Sequence, residues 1–460
     1  MRIRKEMTRR ELLAASAALG VCPGMHAQPR RQLPEPFVPS EGPNKPMGVG
    51  KGIHPGRVVW VHNPEAVRWD GVTEPLAVTS ATGEWWDDAN CDPQIVDAMV
   101  STALQGLTGE KSDKKAWAAL FRHFNRTRNL GDTGYKASEK ISIKINMNND
   151  RSNTKPWPSG RGMPSPQVTH ALLRQLVQVA GVPGEDITLY DATNDRYIGD
   201  PIYNRIMGDP DPRLHNIVFE VNANRAANGR IAAVPDLTVP LHFSDPEVAE
   251  RSGPCYLPKS LIAAKYRIDL ALLRAHSICG VTLCTKNNNG SLYWPKLDYW
   301  GPRVLHEFFS ASRPLKSYNA FVDYIGHRHL FGKTLLYMID GMYSAEQSEV
   351  NVVRFQSFGD NWPASIFMSQ DPVAIDSVGL DFLRSEPRAT AVRGNPDNFL
   401  HEAALVEDPP SGTKYDPNGD GVHLSSLGVH EHWNNATEKK YSRNLGKNEG
   451  IELLALSARV

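Results

Sequence analysis

The alternation of strand-like and helix-like segments after residue 57 constrains the fold of this chain more than any other feature of its sequence. Short runs typical of strands lie at 141–146, 186–190, 217–221, 280–285, 334–339 and 364–368, and helical patterns fit 94–107, 114–128, 166–180 and 372–384. Such alternation is typical of parallel sheets, because the connection between two parallel strands has to cross a face of the sheet. The sequence therefore predicts an α/β fold with a mainly parallel sheet flanked by helices.

The regions on either side of this core have a different composition. Residues 28–57 contain seven prolines, which predicts an extended Pro-rich linker or arm. The α/β core is predicted over 58–400. Residues 401–460 are rich in Asp, Asn, Gly and His and have no long apolar runs, which predicts a loop-rich C-terminal extension.

Residues 1–27 resemble a twin-arginine signal peptide. Arg9 and Arg10 precede an apolar run and a short cleavage-type segment that ends at Ala27. This pattern predicts export to the periplasm by the twin-arginine export machinery, the alternative being a basic amphipathic helix. The apolar run is too short for a stable membrane anchor, and no later segment is long and apolar enough to cross a bilayer. We therefore expect no transmembrane segment in the mature chain.

Charge and cysteine content argue against several classes of function. Without residues 1–27 the chain has 46 basic and 49 acidic side chains, so its net charge does not favour binding to nucleic acid or to a membrane surface. Beyond Cys22, four cysteines remain, and none forms a C-x-x-C pair. We therefore expect no iron–sulfur cluster, and we interpret these cysteines as buried free thiols.

Polar side chains follow five of the predicted strands. Because ligands bind beyond the carboxyl ends of the strands in open α/β sheets, we expect these side chains to converge on one site. Lys286 and Arg151 suit an anionic group, whereas carboxylates suit a divalent cation or proton transfer. The predicted catalytic residues are Lys286, Asp191, Asp340 and Asp371, and the predicted ligand-binding residues include Asn146, Asn148, Arg151 and Asn287. Each also has a structural interpretation, as a turn residue, a helix cap or, for Lys286, a side chain that extends to solvent.

Two further segments are candidates for binding a divalent metal. His430 and His432 form an H-x-H pair that could chelate zinc, nickel or copper, and His327 and His329 form a second, weaker pair. The other segment begins at Asp416 and matches the first half of a calcium-binding loop. The position of the bidentate glutamate is occupied by leucine, so the alternative interpretation is a turn stabilised by hydrogen bonds of its own side chains. Its candidate ligands are Asp416, Asn418 and Asp420.

Four segments resemble the domain of unknown function 362 family, in this order along residues 140–385: KINMN followed by SPQVTHALLRQLVQVAGV, then LALLRAHSICGVTLCTKNNNG, LLYMIDGM and SQDPVAIDSVGLDFL. The central segment fits the family at His276, Thr282, Lys286, Asn287 and Gly290, whereas Arg274 stands where the family has lysine. The resemblance adds His276 to the predicted ligand-binding residues. Some members of the family contain a ferredoxin-like cysteine cluster, which is missing from this sequence.

Two functions are compatible with these patterns. The first is an exported enzyme or binding protein that holds a small anionic ligand, with a divalent metal as candidate cofactor, at the carboxyl edge of the sheet. The second is a non-catalytic envelope protein whose arm and C-terminal extension contact another macromolecule. The nucleophile elbow, the P-loop and the dinucleotide-binding glycine pattern are missing from the sequence, which argues against a serine hydrolase, a nucleotide hydrolase and a dinucleotide dehydrogenase.

Overall fold

The computed structural model describes residues 40–74, 77–150, 157–301, 305–347 and 350–458, all within the unit Pro36–Val460. The described helices are α1 Pro93–Thr108, α2 Asp113–Thr127, α3 Pro166–Arg174, α4 Asp200–Met207, α5 Pro246–Ser252, α6 Lys259–Ala263, α7 Cys284–Asn287, α8 Ala320–Gly326, α9 Pro372–Arg384 and α10 Asn398–Ala404. The strands before residue 260 are β1 Met47–Gly48, β2 Arg57–His62, β3 Val72–Glu74, β4 Ala77–Thr79, β5 Ile141–Ile145, β6 Ile187–Asp191, β7 Val218–Val221, β8 Arg230–Ala232, β9 Pro235–Leu241 and β10 Cys255–Pro258. The later strands are β11 Tyr266–Leu272, β12 Arg274–His276, β13 Gly280–Thr282, β14 Tyr293–Trp294, β15 Tyr299–Trp300, β16 Thr334–Gly341, β17 Ser365–Ser369, β18 Val429–His430 and β19 Glu452–Leu456.

A nine-stranded sheet forms the centre of the described part of the chain, in the order β19-β2-β17-β16-β11-β5-β6-β7-β8. Within it only β17 runs antiparallel to its neighbours β16 and β2. The other strand pairs are parallel. The predicted α/β class, with a mainly parallel sheet flanked by helices, is confirmed.

Apolar side chains on both faces of the sheet explain why helices cover both sides. Successive residues of a strand point to opposite faces, so Leu336 and Met338 of β16 join one core, whereas Tyr337 and Ile339 join the other. The first core contains residues of α1 to α4, and the second contains residues of α5, α6 and α8 to α10. A parallel sheet between two helical layers is the arrangement that such two-sided burial requires.

The central strand β11 was missed by the strand prediction, and the strand predicted over 280–285 is shorter, Gly280–Thr282, and lies outside the central sheet. Every residue of β11 is buried, although Arg267 and Asp269 alternate with apolar residues in its sequence YRIDLAL as in a half-exposed strand. Residues 280–282 instead pair with β12 in a separate hairpin, and α7 begins at Cys284. The hairpin leaves the carboxyl end of β11 and therefore lies at the edge where ligands bind in folds of this kind.

Helix α3 begins as its sequence predicts. The Ser165 hydroxyl accepts a hydrogen bond from the Val168 N–H at 3.3 Å, and Pro166 occupies the first turn, where its missing N–H costs nothing. The helix continues as a π-helical turn over Gln175–Val179 and ends before Gly181, which has a φ of +75°. The helix therefore extends close to the predicted bound of residue 180.

The C-terminal part of the chain contributes to the central sheet, since β19 pairs in parallel with β2. Near the other end of the described chain, β1 pairs with β18, which attaches the arm to the C-terminal region. The four cysteines at 91, 255, 279 and 284 are buried and free. None of the helices in the described ranges has the length and apolar character needed to cross a bilayer.

Candidate functional site

A polar cavity of about 380 Å³ lies at the carboxyl edge of the sheet, beyond β5 and β6. Six residues predicted from the sequence line it: Asn146, Asn148, Asp191, His276, Lys286 and Asn287. The remaining polar lining includes Thr193, Arg196, Thr282, Asn289 and His306. The cavity therefore brings together side chains from the ends of two parallel strands and from the segment that includes β12, β13 and α7.

Helix α7 places Lys286 at the cavity, and its first turn is fixed by a carboxylate from α9. Asp376 accepts hydrogen bonds from the Cys284 N–H at 2.8 Å and the Thr285 N–H at 2.9 Å. These are N–H groups that a helix of four residues cannot satisfy by itself. Burial raises the pKa of Asp376 to about 7, and its hydrogen bonds with Thr285 oppose that shift. Asp376 therefore determines where α7 begins and which way it presents Lys286.

Beneath α7, a buried polar network anchors the neighbouring asparagines. The Asn287 side chain donates to Asp269 Oδ1 at 2.7 Å, and the Asn288 side chain donates to Asp269 Oδ2 at 2.8 Å. Asp269 also forms an ion pair of 2.6 Å with Arg267, and both of these charged side chains are fully buried. A buried pair of this kind is stable only when its other hydrogen bonds are satisfied, so the network fixes the asparagine segment rigidly on the sheet.

A second buried ion pair joins Lys144 of β5 to Asp191 of β6 at 3.0 Å. Asp191 also accepts hydrogen bonds from the Met147 N–H at 2.8 Å and from the Thr193 hydroxyl at 2.6 Å. Lys144 Nζ donates to the Ile145 carbonyl at 2.6 Å, and burial lowers its pKa while Asp191 opposes that shift. The Asp191 carboxylate is therefore held by several partners and forms a rigid wall of the cavity.

Lys286 lines the cavity, and the described residues provide no ion-pair partner for its ammonium. Its ammonium lies 5.5 Å from the centre of the Phe309 ring. Burial lowers the pKa of Lys286, Cys279 opposes the shift, and Arg274 adds to it. An ammonium in such surroundings favours a negatively charged neighbour, because a partly desolvated charge is costly until it is paired.

Two imidazoles stand beside this ammonium with parallel rings, His276 and His306, at a centroid distance of 6.3 Å. Burial lowers the pKa of His306 to about 4 and holds the pKa of His276 well below its usual value, and Lys286 adds to both shifts. His276 Nδ1 accepts hydrogen bonds from the N–H groups of Ile278 and Cys279 at 3.1 and 3.3 Å. The neutral His276 ring consequently has its proton on Nε2, where it is a hydrogen-bond donor.

Other buried polar atoms of the lining lack hydrogen-bond partners among the described residues. They are the Thr282 hydroxyl and both amide atoms of Asn289, and both residues are more than nine-tenths buried. Buried polar groups in folded proteins are nearly always paired with protein, water or ligand atoms. The cavity thus offers one ammonium, hydrogen-bond donors and hydrogen-bond acceptors to a small polar molecule.

A family model described as "Domain of unknown function (DUF362)" matches residues 141–381, which is more than half of the chain and includes the strand ends and α7. The chain belongs to this family. The resemblance that the sequence motifs indicated is thereby confirmed. The cavity of this DUF362 protein is formed largely by the matched segment, since most of its lining residues lie between 146 and 306.

Comparison with other proteins adds little beyond the family. No curated protein matches the sequence. Among solved structures, the chain is similar to the lactate racemase apoprotein from Thermoanaerobacterium thermosaccharolyticum, with 10% sequence identity and a TM-score of 0.31. The alignment covers 69% of this chain and 62% of that chain, which is less than two thirds of the racemase apoprotein.

Two predicted catalytic carboxylates lie outside the cavity of the DUF362 chain, which corrects the expectation that all strand ends converge. Asp371 follows β17, and because β17 runs antiparallel to its neighbours, its carboxyl end lies at the opposite edge of the sheet. There Asp371 caps α9 by accepting from the N–H groups of Val373 and Ala374. Asp340 lies at the expected edge but is not part of the lining, and it accepts from the Ser165 N–H at 2.7 Å. Arg151 lies outside the described residues.

The predicted metal ligands form two separate groups away from the cavity lining. His430 and His432 meet Glu41 of the arm in one candidate metal-ligand group, and Glu41 forms another with Asp397 and His401. The Asp416 loop is different, because its oxygens are already in use. Asp416 accepts from the N–H groups of Asp420 and Gly421. Asn418 and Asp420 both contact Arg328, as expected for the turn-network alternative.

Sequence reasoning missed several residues of the cavity and its support. Lys144 and Arg267 could have been identified from the sequence, since each is a charged residue inside an otherwise mostly apolar strand. Charged residues in such positions are almost always paired when they are buried. Arg196 follows β6 closely and belongs to the same class of strand-end residues. His306 has no signal of this kind, because the strand before it is the two-residue β15, which was not predicted and lies outside the central sheet.

Proposed function

We propose that this protein binds a small organic anion, with a carboxylate or phosphate group, in the polar cavity. The observation that supports this most is the Lys286 ammonium, which lines the cavity without an ion-pair partner among the described residues. The charge of a bound carboxylate or phosphate would compensate it. The cavity volume of about 380 Å³ is within the usual range for small-molecule sites.

The neutral groups of the lining would orient such an anion. The Thr282 hydroxyl can donate and accept, the Asn289 amide offers one donor group and one acceptor, and His276 Nε2–H is a further donor. These groups recognise hydroxyl or carbonyl oxygens rather than apolar surface. A hydroxylated or keto organic acid therefore fits the lining better than a fatty acid.

If the bound anion also reacts, the imidazoles are the groups placed to transfer protons. His306 is neutral at pH 7, but burial and Lys286 lower its pKa to about 4 and make it a weak base, and a bound anion that compensates Lys286 would raise this pKa and let His306 accept a proton from the ligand. His276 would donate a hydrogen bond from Nε2 to an oxygen that gains negative charge. In this proposal the imidazoles replace Asp340 and Asp371 as the proton-transfer groups.

The experiment is a binding screen with small carboxylic and phosphorylated acids, followed by calorimetry on the wild type and on Lys286→Met. Methionine keeps the apolar stem and removes the charge. We expect binding to weaken by about 2 kcal/mol or more, as for the loss of one partner of a partly buried charge pair. Lys439→Met is the matched control, because Lys439 also lies over aromatic rings, at 5.6 Å from Trp433, and is remote from the cavity lining.

Equal affinity of Lys286→Met and the wild type for every acid that binds would contradict the proposal. A large loss of stability in Lys286→Met, with ligand affinity of the folded variant unchanged, would instead identify Lys286 as a structural residue. The rival hypothesis, a non-catalytic envelope protein that contacts another macromolecule, predicts no ligand in the cavity at all.

We also propose that the protein is exported to the periplasm through the twin-arginine pathway. The support is the sequence pattern around Arg9 and Arg10, within residues that lie outside the described part of the structure. The ligand would then be an acid available outside the cytoplasm.

A further inference from the structure

A cluster of imidazoles and carboxylates surrounds one point where the arm meets the C-terminal region. Glu41 Oε1 lies 2.9 Å from His432 Nε2, 3.3 Å from His430 Nε2 and 3.4 Å from His401 Nε2. Asp397 Oδ2 lies 3.7 Å from His432 Nε2. His430 and His432 are fully buried, and Glu41, Asp397 and His401 are mostly buried. Three imidazole nitrogens thus point at the same carboxylate oxygen from different elements of the fold.

The hydrogen bonds of His430 determine which of its nitrogens has the proton. The Ser377 hydroxyl donates its only hydrogen to the Val373 carbonyl at 2.7 Å, so it must accept from His430 Nδ1, which is 2.8 Å away. In the neutral ring the proton is therefore on Nδ1, and Nε2 presents a lone pair. His430 Nε2 has no hydrogen bond among the described residues, although it is completely buried.

His432 has the same orientation with a stronger partner. Its Nδ1 lies 2.6 Å from Asp381 Oδ1, and the other oxygen of Asp381 accepts from the Tyr441 hydroxyl at 2.8 Å and the Trp433 N–H at 3.1 Å. A carboxylate held in this way fixes the proton of the imidazole on Nδ1 and directs Nε2 toward the cluster. This carboxylate–histidine arrangement is the one that orients histidine ligands in metal sites.

The result is a set of lone pairs that face negatively charged oxygens. In the neutral ring, the lone pair of His430 Nε2 and the carboxylate oxygen of Glu41 are both acceptors, and acceptors 3.3 Å apart repel unless a proton or a metal ion lies between them. Ligand atoms bound at about 2.0–2.2 Å from one ion lie about 3 to 3.5 Å from one another, which is the spacing seen here. The cluster therefore has the donor atoms and the spacing of a metal site.

We propose that Glu41, His430 and His432 bind one divalent first-row transition-metal ion, with His401 and Asp397 beside them on the other side of Glu41. Several imidazole ligands select zinc, iron(II), cobalt(II) or nickel(II) over calcium and magnesium, which prefer oxygen ligands throughout. Ser377 and Asp381 hold the imidazoles as positioning residues. The site shares no residue with the cavity lining and does not depend on the function proposed for it.

Because Glu41 belongs to the arm, a metal ion bound here would link the arm to the C-terminal region. Glu41 belongs to the arm, whereas the three histidines and Asp397 come from residues 397–432. The arm is attached next to the site by the pairing of β1 with β18, in which Met47 opposes His430, and by a hydrogen bond from the Asn44 N–H to the His432 carbonyl at 2.9 Å. The metal ion would add a coordinate bond to this attachment and fasten the arm to the C-terminal region.

The test uses the full chain, stripped of metal with a chelator and titrated with zinc(II) by calorimetry, with metal content measured by mass spectrometry. We expect about one zinc ion per chain, since Glu41, His430 and His432 form one group of ligands. The His430→Ala/His432→Ala variant should bind none. His329→Ala is the matched control, because His329 belongs to the other H-x-H pair of the chain, and it should bind zinc like the wild type.

Two milder variants keep the proposal testable if the double variant does not fold. Asp381→Asn should weaken zinc binding about 10- to 100-fold, because it alters only the residue that orients His432. Glu41→Gln should weaken zinc binding and also make the peptide bonds near Asn44 and Met47 more sensitive to protease in the presence of zinc. The proposal is overturned if the stripped wild type binds no zinc, or if both milder variants bind zinc as tightly as the wild type.

Discussion

Replacement of Gly290 by alanine tests the packing of the cavity wall most directly. A Cβ atom at this position would overlap Asp191 Oδ1, and it would lie 2.5 Å from Thr193 Oγ1 and 3.0 Å from Lys144 Cε. None of these side chains can move freely, because Lys144 and Asp191 form a buried pair of 3.0 Å and the Thr193 hydroxyl donates to Asp191. The methyl group therefore has no free space to occupy.

The expected loss of stability in Gly290→Ala depends on how the structure accommodates the added methyl group, and there are two possibilities. Overpacking of a rigid core costs about 1–3 kcal/mol. If Asp191 moves away instead, the pair with Lys144 is weakened, and the full loss of one partner of a buried ion pair costs about 3–5 kcal/mol. We expect Gly290→Ala to lower the free energy of unfolding by about 3 kcal/mol, between these limits.

The assay is urea unfolding followed by tryptophan fluorescence and circular dichroism. Gly134→Ala is the matched control, because a Cβ atom there would meet nothing within 4 Å. The control should change stability by less than about 1 kcal/mol. If the two variants unfold within about 0.5 kcal/mol of each other, Asp191 and Lys144 are not packed against Gly290 as described, and the rigid-wall argument fails.

Three further predictions concern other parts of the chain. Anion affinity should be constant while Lys286 is protonated and fall by up to about tenfold per pH unit as the pH rises through its lowered pKa, whereas Lys286→Met should give a flat profile in calorimetry. Calcium should bind the Asp416 loop no more tightly than the millimolar range, and Asp420→Ala, which removes the exposed contacts with Arg328 and with the Val422 N–H, should cost less than about 1 kcal/mol. Micromolar calcium binding lost in that variant would contradict this. Replacing Arg9 and Arg10 by lysine should abolish export, and a retained Met1 terminus on exported protein would refute cleavage after Ala27.

The sequence predicted the cavity better than it predicted the sheet. Asn146 and Asp191 could be assigned to one site because strand ends are local features and parallel strands place their carboxyl ends together. The direction of β17 could not be predicted, because an antiparallel strand has the same side-chain pattern as a parallel one, and Asp371 was therefore assigned to the wrong edge. β11 was missed although Arg267 and Asp269 alternate with apolar residues along it, and the sequence did not reveal that these two charges are buried as an ion pair.

The histidine cluster shows a second kind of feature that the sequence could not predict, namely which residues meet in the folded chain. The H-x-H spacing of His430 and His432 was visible, but spacing could not identify their partners. Glu41 and His401 are 360 residues apart in the chain. Glu41 stands in a Pro-rich segment without periodicity, so only the tertiary fold, through the pairing of β1 with β18, brings it to the histidines.

The distribution of charge around the cavity explains why Lys286, and not Lys144, is assigned to the ligand. Lys144 is neutralised by Asp191 at 3.0 Å, and beneath α7 Arg267 is neutralised by Asp269 at 2.6 Å. The Asp376 carboxylate, which contacts the first turn of α7, is occupied by the N–H groups of Cys284 and Thr285. The paired charges therefore supply rigidity, because moving any of them would expose a buried charge, whereas Lys286 supplies the uncompensated positive charge. We therefore expect such a site to bind an anion more tightly than a neutral analogue of the same shape, since the neutral analogue would leave the partly buried ammonium unpaired.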